Sequence, residues 1–274
     1  MIDLGRDRLT YVALGDSFTE GVGDPAVREP GEGTDAQAAA DGGLYRGWAD
    51  RFAEHLAAHI PEVHYANLAV RGKLLRQVLA DQMPAALAMR PDLVTLCAGG
   101  NDLLRPGADP DLLAAQLERA VRRLRDQGCD VVLFTGVNIA SGFMRVLLGR
   151  FARYYLNVRS IADRTGSVLV DQWSMSVLRD PRAWESDRLH MSAEGHRRVA
   201  LRVCDTLGVP TVERWDEPWP AADPVDWRTA RSADARWVGQ FLLPWVGRRL
   251  SGRSSGDGVQ PKRPDPTEVR SLPV

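Results

Sequence analysis

Short apolar runs rich in β-branched residues alternate along the chain with longer segments whose apolar positions recur every three or four residues. LTYVAL (9–14), VHYANLA (63–69), DLVTLCA (92–98), DVVLFTG (130–136) and SVLVDQ (167–172) read as strands. Several are apolar without interruption, the pattern of strands covered on both faces in a parallel sheet. Between them, Leu113, Leu117, Val121 and Leu124 mark one face of a helix that starts after Asp109-Pro110 and stops at Gly128. Asp as cap, Pro at the first position and Gly past the end are the start and stop chemistry a helix needs. A second helix, over about 143–165, puts Met144, Leu148, Phe151, Tyr155, Val158 and Ala162 on a common stripe. A third starts near Ser192, carries Val199, Val203 and Leu207, and ends at Gly208-Val209-Pro210. Strand and helix in repeated alternation predict an α/β fold: an open, doubly wound parallel sheet of about five strands with helices on both faces.

Ligands of such sheets bind beyond the carboxyl ends of the strands, so chemistry is expected just after each run. Gly15-Asp16-Ser17-Phe18 follows the first, Asn67 to Gly72 the second, and Gly99-Gly100-Asn101-Asp102 the third; Asp187-Arg188-Leu189-His190 precedes the last helix. Each alone has a plain reading as a turn, a cap or a surface pair. In this order and at these places they compose an acyl-transfer apparatus. Ser17 is the nucleophile, weak until a base takes its proton. His190 is that base, since imidazole titrates near neutrality. Asp187, three residues earlier, reaches the other ring nitrogen and fixes the tautomer. Oxyanion donors are the Ser17 amide at a strand-to-helix turn, the Gly72 amide and the Asn101 side-chain NH₂. The nucleophile elbow of the α/β-hydrolases does not fit, because Thr19 stands where G-x-S-x-G requires Gly.

These motifs resemble those of the SGNH hydrolases, or GDSL esterase/lipase family. GDSF carries Phe18 in place of Leu; Asn67–Gly72, Gly99–Asp102 and Asp187-x-x-His190 match the second, third and last motifs over roughly residues 9–208. The resemblance implies a three-layer flavodoxin-like fold, no cofactor and no metal, and hydrolysis of carboxylic esters. It assigns Ser17, Asp187 and His190 as triad and Ser17, Gly72 and Asn101 as oxyanion donors. Substrates of such proteins include short- to medium-chain acyl esters, lipids, thioesters and acetylated sugars, so O-deacetylase and thioesterase readings stand beside the esterase. A non-catalytic binding module is the reading from another class; Asp187-x-x-His190 speaks against it, as does the lack of a phosphate loop ending in Lys-Ser/Thr.

The remaining features narrow the picture. A net charge of −1 gives no support for a nucleic-acid partner. Arg supplies 33 of the 35 basic residues, which reads as coding bias. No run reaches the length of a membrane span and no secretory leader is recognisable, so a cytoplasmic protein acting on a small-molecule or lipid ester is expected. Cys97, Cys129 and Cys204 read as core thiols. His55 and His59, four apart on a helix, lack a third metal ligand. His196 reads as solvated or structural, and His64 as a strand residue without an acidic partner close in sequence. Asp16, Glu20 and Asp102 are read as structural. Residues 24–43 form a long loop after the nucleophile that could cover the site, and 137–151 could line an acyl pocket. Residues 1–208 are expected to form the hydrolase domain. Residues 209–250, a Trp-rich extension with a helix, pack on it, and 251–274, polar and rich in Gly and Pro, are expected to be disordered.

Overall fold

The computed structural model describes residues 2–26, 45–138, 144–221, 226–242, 244 and 254–270. Its strands are β1 (Arg8–Gly15), β2 (Glu62–Asn67), β3 (Leu93–Cys97), β4 (Asp130–Phe134), β5 (Val168–Val170) and β6 (Arg263–Glu268). They form one sheet in the order β5-β4-β3-β1-β2-β6. The first five are parallel, with β1 paired to both β2 and β3, the doubly wound order in which the strand order reverses at β1.

Period-two alternation sorts the strand residues between two cores. Leu9, Tyr11 and Ala13 of β1, with Val132 and Phe134 of β4, face the helices Gly47–Ala57 and Ala193–Leu207. Val12 and Leu14, with Val131 and Leu133, face Met83–Met89, Pro110–Arg125 and Met144–Thr165. The helix ends follow the sequence chemistry. Asp109 caps Pro110–Arg125 through bonds from the Asp111 and Leu112 amides, Ser192 caps Ala193–Leu207, and Gly208 closes that helix in the left-handed region. β2 ends two residues earlier than expected because the Asn67 side chain turns the backbone, accepting from the Ala69 amide at 3.1 Å.

The expected disorder of 251–274 is corrected at the sixth strand. Residues Arg263–Glu268 pair antiparallel with β2, with a bulge between Tyr65 and Asn67. Pro264 and Pro266 cannot donate to a ladder, and an edge strand with one neighbour tolerates them. Lys262, one of two lysines in the chain, anchors this strand. Its buried ammonium donates to the carbonyls of Tyr45 (2.9 Å) and Arg46 (2.7 Å) and pairs with Asp50 at 2.9 Å. The Trp-rich segment also touches the sheet domain. Trp219 donates to the Val177 carbonyl at 2.7 Å and lies under the guanidinium of Arg198; Trp215 lies under that of Arg202.

His196 is fully buried rather than solvated. Its Nδ1 accepts from the Trp48 amide at 3.3 Å, and its Nε2–H donates to the Val22 carbonyl at 3.1 Å. His64 does have an acidic partner: Glu62, two residues away and hence on the same strand face, lies 2.6 Å from its Nε2. His59 bonds the Pro210 carbonyl at 3.0 Å, and among the described residues no three His, Cys, Asp or Glu side chains cluster as a metal site would.

Two outcomes are expected. Lys262→Met should cost about 2–4 kcal/mol, because it leaves Asp50 and two carbonyls without their cation. Amide exchange should accelerate selectively over 263–268; unchanged protection there would deny the anchor. Burial pushes the His196 imidazole down to about 4 from 6.5. The unfolded chain therefore binds the extra proton first, so stability is complete above pH 6.5 and declines as pH falls toward 4. That decline amounts to about 3 kcal/mol from this group. Urea unfolding between pH 7 and 4 should show a shallower pH slope for His196→Gln than for the wild type.

Candidate active site

The turn after β1 is set by a residue with no room for a side chain. A Cβ on Gly15 would fall 2.5 Å from the Cys97 carbonyl oxygen and 2.6 Å from Thr19 Oγ1. Gln82 clamps the same residue, accepting from its amide at 2.9 Å and donating to its carbonyl at 2.8 Å. Gln82 sits in a π-helical turn, Val78–Gln82, a widening often found beside functional sites. Asp16 then caps the short helix Ser17–Glu20 by accepting from the Phe18 amide at 3.2 Å. Burial pushes the Asp16 carboxyl up to about 6, against the opposing pull of the Phe18 amide and His190. Phe18 stacks on Trp48 and meets Phe134 edge-on, so the apolar exchange in the first motif is absorbed by packing. Asn67 holds the far end of the turn, donating to the Thr19 carbonyl at 2.8 Å.

The loop after β2 is held by a buried ion pair. Glu20 accepts from the Arg71 amide at 2.6 Å and from its guanidinium at 2.9 and 2.5 Å. One carboxylate thus ties the Ser17 turn to the backbone just before Gly72, which adopts φ +74°. After β3, Asn101 lies in the helix Gly100–Leu103 and its amide donates to Asp16 at 3.2 Å and to the Lys73 carbonyl at 3.1 Å. Asp102 accepts from the Leu75 amide at 2.9 Å. Asp16, Glu20 and Asp102, expected to be structural, hold backbone in this way. Tyr154 supports the third loop through the Ala98 carbonyl, at 2.9 Å.

The fourth loop closes on itself, with the Glu185 amide donating to the His190 carbonyl and the Arg188 amide to the Glu185 carbonyl, both at 2.8 Å. Arg188 is left-handed at φ +55°, which turns both following amides onto the Asp187 carboxylate: Leu189 at 2.9 Å and His190 at 3.0 Å. His190 Nδ1–H donates to the second carboxylate oxygen at 2.6 Å. Burial opposes ionisation of Asp187; the His190 ring and these amides outweigh it and hold the carboxyl below its ordinary value. The arrangement leaves Nε2 as the basic nitrogen.

The four loops meet at one cavity of about 370 Å³, whose walls include Ser17, Gly72, Asn101, Asp187 and His190. Every residue proposed from the sequence is therefore at this site. Leu104, Val137, Leu148, Phe151 and Tyr155 make its apolar side, so part of the expected 137–151 segment is there, while 139–143 lie outside the described residues. The loop expected to cover the site lies almost wholly outside them too, from 27 to 44. Sequence reasoning missed Gln82, and it missed Trp237, Phe241, Ser254 and Ser255, which line the cavity from the C-terminal segment. The tryptophans were visible in the sequence, but nothing local to them points to the cleft.

The profile of the GDSL-like lipase/acylhydrolase family matches residues 13–198. No curated protein matches the chain. Among solved structures, the acetylxylan esterase Axe2 from Geobacillus stearothermophilus is 23% identical, with a TM-score of 0.59 over 76% of this chain and 96% of its own. TesA is 23% identical, with a TM-score of 0.56 over 72% of this chain and 97% of its own. LAE5, an α/β hydrolase from the metagenome of Lake Arreo, Spain, is 22% identical, with a TM-score of 0.58 over 73% and 95%. At these identities the likeness speaks to the fold. Among the described residues no helix is long and apolar enough to cross a membrane. The profile spans well over half of the sequence, and on that ground this chain belongs to the GDSL-like lipase/acylhydrolase family and is a carboxylic ester hydrolase.

Proposed function

We propose that the chain hydrolyses short- to medium-chain acyl esters through an acyl-enzyme on Ser17, with His190 as general base and Asp187 as its orienter. The observation that carries this reading is the 2.6 Å bond from His190 Nδ1 to Asp187 on a loop that shares its cavity with Ser17. Ser17 Oγ attacks the ester carbonyl carbon as its proton passes to His190 Nε2. The C–O bond to the alcohol breaks as the imidazolium returns that proton to the departing oxygen. Water repeats the sequence on the acyl-enzyme and releases the acid. The amides of Ser17 and Gly72 and the Asn101 side chain are the oxyanion donors. The bond from Asn101 to Asp16 is longer than the one to the Lys73 carbonyl, and a developing oxyanion is the stronger competitor for that hydrogen.

The apolar side of the cavity supports an acyl chain longer than acetyl. Its volume is in the range of small-ligand sites, roughly 300–1,000 Å³. The acetylxylan esterase among the fold's solved relatives supports a second reading, deacetylation of carbohydrate esters on the same residues.

A fluorophosphonate should label the wild type once, on the peptide containing Ser17, and should leave Ser17→Ala unlabelled; a folded wild type that takes no label would sink the mechanism. Turnover should fall about 10³–10⁶-fold in His190→Ala and about 10²–10³-fold in Asn101→Ala. On p-nitrophenyl esters, kcat/KM should rise about fourfold per added methylene from acetyl until the cavity is filled. Faster turnover of acetylated xylo-oligosaccharides than of any aryl ester would replace the acyl-ester reading with the carbohydrate one.

A further inference from the structure

The chain after residue 198 lies outside the family profile, yet one turn of its helix Trp227–Trp237 grips the loop that carries the acid and the base. The Trp237 indole N–H donates to the Asp187 carbonyl oxygen at 2.8 Å. Asp234, three residues earlier and so on the same helix face, pairs with the Arg188 guanidinium at 2.6 Å. That guanidinium also lies over the Trp237 ring, 5.4 Å from its centre. Asp187 is thus held twice, with its carboxylate inside the loop and its main-chain carbonyl from outside.

We propose that Trp237 is a positioning residue of the acid–base loop, fixing the Asp187–Arg188 peptide so that the Asp187 carboxylate stays on His190. The inference rests on the triad reading above. Its physical basis is the left-handed Arg188. A non-glycine residue at φ +55° costs about 1–2 kcal/mol and persists only where its surroundings over-determine it. Within the loop, the Arg188 amide bond to Glu185 and the Leu189 and His190 amide bonds to the Asp187 carboxylate oppose relaxation; Trp237 and Asp234 add restraints from outside it. Were Arg188 to relax, the peptide after Asp187 would rotate and the Leu189 and His190 amides would leave the carboxylate they now orient. A misplacement of about 1 Å in such a group costs on the order of 10² in rate. Trp237 also lines the cavity, so a ring that merely forms a wall is the competing account, and a staple that only stabilises the fold is another.

Trp237→Phe separates these, since it keeps a ring and removes the N–H. The expected result is a roughly tenfold fall in kcat on p-nitrophenyl butyrate, with KM unchanged and the thermal midpoint within about 3 °C of wild type. The rate of Ser17 phosphonylation by a fluorophosphonate should fall by the same factor, because that reaction reports the base-activated hydroxyl directly. Asp234→Asn, at an exposed pair whose loss leaves the fold intact, should lower kcat about two- to threefold with the same signature. A raised KM with wild-type kcat would reduce Trp237 to a wall. A lowered midpoint with wild-type kcat per labelled site would reduce it to a staple. Either result overturns the proposal. Failure of the wild type itself to label on Ser17 would instead remove the triad on which it rests.

Discussion

Parallel pairing of β1 with both β2 and β3 is the constraint from which the site follows. The ladder registers Ala13 against Asn67 on one side and Gly15 against Cys97 on the other, so three strands end at nearly the same level. Each chain must then leave the sheet at the same edge, and the loops carrying Ser17, Gly72 and Asn101 are delivered side by side. Asp187 and His190 arrive from the loop before Ala193–Leu207, a helix packed on the sheet through Val199, Val203 and Leu207. The sheet needs no long-range steering to assemble this cleft; level strand ends and short exits suffice.

Holding the loops to catalytic tolerance falls to buried polar groups. Glu20 ties the Ser17 turn to Arg71, Asn67 ties it to β2, Gln82 clamps Gly15, and Asp102 holds Leu75. Each group is bonded to backbone, so it restrains position rather than only satisfying a charge. Glu20 and Arg71 form a desolvated pair with three bonds between them, an arrangement that is costly to break from one side. Gly72 serves two needs here. Its amide is the proposed oxyanion donor, and a Cβ at that position would fall 2.2 Å from the Ser254 hydroxyl of the C-terminal segment. The same missing side chain that opens the amide lets the segment close over it.

The C-terminal segment is where local pattern and final structure part. A stretch such as QPKRPDPTE carries no alternation, and its three prolines argue against a strand. It becomes β6 because β2 offers an unpaired edge, because one-sided pairing spares the prolines, and because Lys262 finds two carbonyls and Asp50 about 200 residues earlier in the chain. His64 shows the reverse: its partner Glu62 was two positions away, and strand period alone places them on one face.

Period, capping chemistry and four short motifs determined, without coordinates, the parallel α/β plan, the ends of its main helices and the residues that gather in the cleft. They could do so because strand alternation, helix caps and the Asp187-x-x-His190 spacing are local properties that survive in one dimension. What tertiary structure alone decided are the pairings between distant residues. These are Glu20 with Arg71, Gln82 with Gly15, Lys262 with the Tyr45–Asp50 region, and Trp237 with Asp187. Such bonds form because the sheet brings their partners together after removal from water, and nothing in the spacing of either partner encodes the other.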